Sequence, residues 1–467
     1  MSLELLAGVG VSDVTPPPGT PQGGWGAQIH QRSKGNDLPL KAQALVLASG
    51  GERLAIADVD AIGFDEPMTA RILDAISRLT GLSHQRIRFS CTHTHSGPNT
   101  FRLPMIREGL DMALSYLDLL PGQIAGAVWQ AMNRLQPVRV GAALGESDIN
   151  VNRRCLGPGG KTFIGCNPEA PADRTVSVLR FDAAGGALDG TPIACVLHYA
   201  CHPTTMGWQN EFVTPDYPGQ AKKVVEESLG APCLFLQGAT GDLGPRRGFT
   251  GDLQVYRRLG TILGLEGAKL AWNIDTKPTR LELRTIQESG ASIGIYDEVP
   301  LETPPPVLRM QSGTVDLPVR QQPDPSKARA NAAALRARLA DVGKTGSSQE
   351  LRDATAAATQ AGMAADRAEL YFGKTSMPWP IQVIRIGDIA LVATAGEPFS
   401  QIGVSVRQRS PFPYTLVSGY TNGGFGYIPA REAFPFGGYE VETTPFSEDA
   451  AGVLIEFAVK MLTALHK

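Results

Sequence analysis

The sequence predicts an α/β fold, with a large mixed β-sheet core, flanking helices and an inserted helical hairpin, all within a single domain spanning residues 1–467. Three observations carry this expectation. Apolar runs of strand length alternate with segments of helical periodicity along the whole chain, without the strict strand–helix–strand rhythm of an all-parallel sheet. Ala, Arg, Lys and Glu dominate residues 326–367, and a break near Gly343–Ser348 divides the stretch into two antiparallel helices, placing the insertion at about 323–377. Beyond it lie a hairpin, one further strand, a Gly/Tyr-rich loop and a terminal helix at about 447–465, which leaves no room for a separate C-terminal β-sandwich.

In chain order, Gly8–Thr15 leads into a Pro/Gly-rich loop over 16–26 that is too interrupted for regular structure. Ala42–Ala48, the Gly50-Gly51 turn and Arg53–Val59 read as a β-hairpin, with Asp58 and Asp60 arriving at its end, where acidic side chains can orient a histidine. Apolar residues three and four apart over 66–80 predict a helix, followed by the strand Arg86–Ser90. A second helix is predicted at about 115–135. A hairpin is predicted from Thr175–Phe181 and Pro192–His198, then helices over 216–229 and at about 253–271, with the buried strand Cys233–Gln237 between them.

Composition excludes several function classes. With 43 basic and 46 acidic residues, a net charge of −3 and no long single-sign run, nothing favours nucleic acid or an anionic membrane surface. No apolar run approaches the roughly eighteen residues that a membrane span needs. The first residues, Met1-Ser-Leu-Glu-Leu-Leu-Ala, lack the basic start and apolar stretch of a secretory signal, so a cytoplasmic location is expected. The six cysteines (91, 155, 166, 195, 201 and 233) form no Cys-x-x-Cys pair and read as free thiols, Cys91 as a small buried hydrophobe.

Chemistry concentrates in the histidines. Of seven (30, 84, 93, 95, 198, 202 and 466), four fall in two short segments, each ending in a Pro-containing break. His93 and His95 stand two apart at the end of a strand-like run, where alternation sends both rings from one face. His198 and His202 follow another apolar run. Such a distribution suggests a divided metal site, although histidines at strand ends are also common as hydrogen-bonded core residues. Arg246-Arg247 follows a glycine-rich loop and reads either as a carboxylate or phosphate contact or as solvated surface.

These fragments together resemble the catalytic domain of the neutral/alkaline, non-lysosomal ceramidases. The resemblance rests on Gly8-Val-Gly through Asp13-Val-Thr, Thr92-His-Thr-His-Ser-Gly-Pro98, Asn152-Arg153, His202-Pro-Thr-Thr-Met-Gly with Asp216-Tyr-Pro-Gly219, Gly241-Asp242, Gly396-Glu397, and the spacing of Tyr427 and Tyr439. It implies one zinc ion bound by His93, His202, Glu397 and Tyr427, with His95, Arg153 and Tyr439 as catalytic residues around it. It further implies hydrolysis of an N-acyl amide by a metal-activated water, His95 shuttling the proton and Arg153 and Tyr439 steadying the oxyanion. An esterase or lactonase using the same water, or a non-catalytic metal-binding paralogue, are the alternatives.

The chain departs from that family twice. Gly244 stands where the family has a serine once proposed as nucleophile, which excludes a serine mechanism there. The family also carries a C-terminal immunoglobulin-like domain, for which no sequence remains here, and no lipid-docking segment is evident. The expected partner is therefore a small-molecule N-acyl or ester substrate, with no nucleic acid and no stable membrane insertion.

Overall fold

Central strands of this chain are apolar on both faces, and the architecture follows from burying both. In the strands Lys41–Ser49 and Glu52–Val59, Leu45, Leu47, Leu54 and Ile56 point one way while Ala44, Val46, Ala55 and Ala57 point the other. The computed structural model describes residues 4–25, 28, 30–101, 103, 106, 108–303, 306–423 and 426–467. Residue 26, at the end of the predicted 16–26 loop, and residues 424–425 of the Gly/Tyr-rich loop lie outside them.

The main sheet has eight strands in the order Cys233–Gln237, Pro192–Tyr199, Thr175–Ala183, Gln136–Glu146, Leu6–Asp13, Lys41–Ser49, Glu52–Val59 and Ile87–Cys91. Its two outermost pairs are parallel and the interior pairs antiparallel, the mixed sheet expected from sequence. A second sheet of four strands, Leu308–Pro318, Ser376–Ile386, Ile389–Thr394 and Tyr414–Ser418, packs face to face on the first. Leu45, Leu47, Leu234 and Leu236 of the first meet Ile384, Leu391 and Leu416 of the second in one apolar layer.

Helices cover both outer faces. Glu66–Thr80 and Leu110–Met132 bury Ile72, Ile76, Leu120 and Ile124 against one half of the main sheet, and Asp216–Leu229 and Leu253–Asn273 cover the other half. Ser400–Arg409 and Ala450–His466 cover the second sheet through Ile402, Val406, Leu454 and Ala458. The order is helix, sheet, sheet, helix. The second sheet was not evident from sequence as a separate layer, because Leu308–Pro318 and Ser376–Ile386 pair across an intervening helical hairpin.

That hairpin runs through Pro325–Thr345 and Ser348–Tyr371. Asp324 caps the first helix by accepting from the N–H groups of Ser326 and Lys327, and a reciprocal Ser347–Glu350 capping box starts the second. Thr279–Glu288 and Ser292–Pro300 form a two-stranded ribbon that is largely exposed. Among the described residues no helix is long and apolar enough to cross a membrane.

The feature that positions the site is where the parallel strands end. Ile87–Cys91, Cys233–Gln237 and Tyr414–Ser418 finish close together: Gln237 Nε2 donates to Thr92 O at 2.9 Å, Ser90 bridges to Thr421 and Gly238 to Ser418. The loops leaving these ends carry residues 92–97, 238–242 and 419–423. Clefts at the carboxyl ends of parallel strands are where α/β sheets bind ligands.

Candidate active site

The strand Ile87–Cys91 stops just before Thr92, whose N–H bonds Val59 O at 3.0 Å, and His93 turns the chain with φ 68° while its N–H bonds Ala61 O at 2.9 Å. A left-handed conformation is uncommon for a residue with a Cβ and breaks strand alternation. The two rings of His93 and His95 therefore come together through a turn, and not by sharing a strand face as the spacing suggested.

Each imidazole is fixed by a backbone carbonyl. His93 Nδ1 donates to Ile62 O, His202 Nδ1 to Thr240 O at 3.1 Å, and His95 Nδ1 to Gly24 O at 3.1 Å. A carbonyl oxygen only accepts, so the hydrogen sits on Nδ1 and each Nε2 keeps a lone pair. Those Nε2 atoms converge: His93 lies 3.2 Å from His202 and 3.3 Å from His95. Glu397 Oε2 completes the cluster at 3.3 Å from His202 Nε2 and 3.6 Å from His93 Nε2. Electron-rich atoms held this close, without hydrogens to share, fit a divalent cation, and the three histidines form a group able to hold one.

Tyr427 reaches the same place through register. Glu397 and Tyr427 are direct partners in a short parallel pair, Glu397–Pro398 with Tyr427–Ile428, and the Tyr427 ring stacks 6.5 Å from that of His202. Glycines permit the approach. A Cβ on Gly241 would lie 2.6 Å from Glu397 O, and Gly396, at φ 70°, faces Gly426 O.

Burial sets the electrostatics. It pushes the His93 and His202 imidazoles well below their ordinary pKa, with Glu397 partly countering it at His93 and Arg153 reinforcing it at His202. Both rings are therefore neutral near pH 7, the form that ligates metals. Burial and Glu397 push the Tyr427 phenol up, while Arg153 opposes them. Arg153 itself is desolvated, yet Tyr427 and Glu440 hold its charge: Nη2 donates to Tyr427 Oη at 3.1 Å and Nε to Glu440 Oε1 at 2.8 Å. Glu440 also accepts from Arg154 at 2.6 Å. Tyr439, next to it in the chain, stands edge-on to Tyr427 with ring centroids 5.8 Å apart. Trp25 borders His95 at 5.0 Å and meets Phe249 and Trp208.

Several sequence expectations resolve elsewhere. His198 takes no part in the cluster: its Nε2 bonds Val417 O at 2.9 Å and ties the two sheets together. Among the described residues Asp58 and Asp60 orient no histidine. Asp60 instead holds the buried Lys222 at 2.7 Å and the Lys41 N–H at 2.9 Å. Cys91 belongs to the apolar core, its thiol pushed up by burial. Arg246 pairs with Asp148 at 2.7 Å near the surface, and Arg247 is exposed. Asp242 accepts from Ser400 N and Oγ and so anchors the start of the helix after Glu397. Gly244 lies against Arg153.

Three contributors were not read from sequence: Thr240, Tyr420 and Glu440. Tyr420 lies in the Gly/Tyr-rich loop at φ 54°, its ring 4.2 Å from that of His93. Thr240 sits in Gln237-Gly-Ala-Thr-Gly-Asp242 between two residues already singled out, and Glu440 follows Tyr439. Adjacency to recognised motifs was the available signal.

Known proteins resemble the chain over most of its length. The family model described as "Neutral/alkaline non-lysosomal ceramidase, N-terminal" matches residues 5–234. The chain is 24% identical to a neutral ceramidase of Pseudomonas aeruginosa over 94% of its own length and 69% of that protein's. It is 22% identical to neutral ceramidase B of Dictyostelium discoideum over 91% and 66%, and 24% identical to a neutral ceramidase of rice over 55% and 33%. The chain thus spans between a third and about two thirds of these relatives. The solved neutral ceramidase of Pseudomonas aeruginosa shares the fold, with TM-score 0.69 at 20% identity over 100% of this chain and 75% of that one.

Proposed function

The chain belongs to the neutral/alkaline non-lysosomal ceramidase family, and on that premise we propose that it is a zinc-dependent amidohydrolase cleaving the amide bond of a small N-acyl substrate. The observation that carries this reading is the convergence of the His93, His95 and His202 Nε2 atoms, with Glu397 Oε2 3.3 Å from His202. His93, His202, Glu397 and Tyr427 would hold the ion. Zinc so held would supply a Lewis acid and lower the pKa of water toward neutrality.

The chain's own residues do the rest. His95, its Nδ1–H fixed on Gly24 O, presents the Nε2 lone pair that takes the proton of the attacking water and returns it to the departing nitrogen. The water oxygen bonds to the acyl carbon, the carbon–nitrogen bond breaks, and a carboxylic acid and an amine leave. Arg153 stays charged between Tyr427 and Glu440 and, with Tyr439, donates hydrogen bonds as charge grows on the carbonyl oxygen. With glycine at 244, no serine nucleophile acts at that position.

Metal analysis of the purified chain, with a hydrolysis panel of short N-acyl amides, acylated amino acids, lactones and ceramide, tests the reading. The expected result is stoichiometric zinc and amide hydrolysis, both lost in His93→Ala and His202→Ala. Turnover of esters or lactones alone would move the chemistry to an esterase. Bound metal with no hydrolysis at all would make the site structural.

A further inference from the structure

Tyr420 and Thr240 link two of the groups that the proposed reading assigns to the metal. Tyr420 Oη lies 2.5 Å from Thr240 Oγ1 and donates to Glu397 Oε2 at 3.5 Å; Thr240 Oγ1 in turn lies 3.2 Å from His202 Nδ1. The polarity of this chain is fixed from both ends. Tyr420 gives its single hydrogen to Glu397 Oε2. Tyr420 Oη must then accept, and the Thr240 hydroxyl donates to it. That leaves the Thr240 oxygen free to accept from His202 Nδ1–H, beside the backbone carbonyl of the same residue at 3.1 Å.

We propose that Thr240 and Tyr420 are positioning residues for the metal site, forming a one-way hydrogen-bond chain, His202 to Thr240 to Tyr420 to Glu397, that steadies the His202 ring and sets the direction of the Glu397 carboxylate. Partners of this kind fix ligand orientation, and their loss commonly costs 10- to 100-fold in metal affinity. The Tyr420 ring adds a second constraint by lying tilted 31° over His93 at 4.2 Å. Its left-handed backbone is held by a bond from its N–H to Gly396 O at 2.9 Å, so the residue before Glu397 anchors the phenol that orients Glu397. The proposal rests on the metal reading above and assigns these two residues a role within it.

The test is zinc affinity of the metal-free full chain, measured by competition with a chromogenic chelator, in wild type, Tyr420→Phe, Thr240→Val and Thr240→Ser. Tyr420→Phe keeps the ring over His93 and removes only the oxygen and its hydrogen. We expect affinity about 10-fold or more weaker for Tyr420→Phe and Thr240→Val, recovery in Thr240→Ser, and unchanged melting of the metal-free protein in all three. Wild-type affinity in Tyr420→Phe, or weakening in Thr240→Ser equal to that in Thr240→Val, overturns the proposal while leaving the metal reading intact. A wild-type chain that takes up no zinc overturns both.

Discussion

Arg153 and Glu440 form a buried ion pair, Nε to Oε1 at 2.8 Å, directly behind the Tyr427 phenol. Glu440 is also bound by Arg154 at 2.6 Å, so two guanidinium groups share one carboxylate where water hardly reaches. Glu440→Gln removes the carboxylate that both guanidinium groups share and should cost about 3 kcal/mol of stability. Denaturant unfolding measures it, and a loss within experimental error would show that the arginines find other partners.

His95 is the residue whose role the geometry divides most sharply. Its Nε2 is 3.3 Å from that of His93, close enough to share the ion, yet the proposed reading gives it the proton. His95→Ala should retain stoichiometric zinc and lose turnover by about 100-fold or more. Metal loss in that variant would make His95 a ligand, and normal kinetics would remove it from the reaction.

Gly241 allows the segment carrying Asp242 to pass beneath Glu397. In Gly241→Ala the added methyl would sit 2.6 Å from Glu397 O and 2.8 Å from the Phe399 ring, contacts that only a backbone shift relieves. The variant should lose about 1–3 kcal/mol of stability and bind zinc more weakly, because the displaced segment begins with Glu397. Wild-type melting and metal content would show that the loop yields freely.

His198 predicts a pH dependence. Burial lowers its pKa from 6.5 to about 4, with Arg407 and Arg88 acting in the same direction and the Val417 carbonyl and Asp173 against it. The unfolded chain then takes up a proton before the folded one, so this residue's contribution to stability is complete above pH 6.5 and falls as pH drops toward 4. His198→Gln should reduce the slope of unfolding free energy against pH in that window by up to about one proton. An unchanged slope would mean that other groups govern acid unfolding.

Much of the frame was legible in the order of residues. The helix over Glu66–Thr80 is marked by its apolar spacing, and the helical pair by its composition and the break near Gly343–Ser348. The strand Cys233–Gln237 is a short apolar run between turn signals. Local periodicity reports which face of an element is buried. It does not report which distant strand will cover that face, and Leu308–Pro318 meets Ser376–Ile386 only after two helices have intervened.

The site divides in the same way. Sequence alone determined the kinds of donor available: two histidines in Thr92-His-Thr-His, one in His202-Pro-Thr-Thr, a carboxylate after Gly396 and phenols twelve residues apart at 427 and 439. Tertiary structure decided which of them meet. His93 reaches its neighbours because its backbone takes φ 68°, His198 is withdrawn to join two sheets, and Tyr420 and Glu440 enter through contacts across the fold. Residue type fixes what an atom can donate or accept; only the closing of remote strand ends around a common point fixes what stands within 3.5 Å of it.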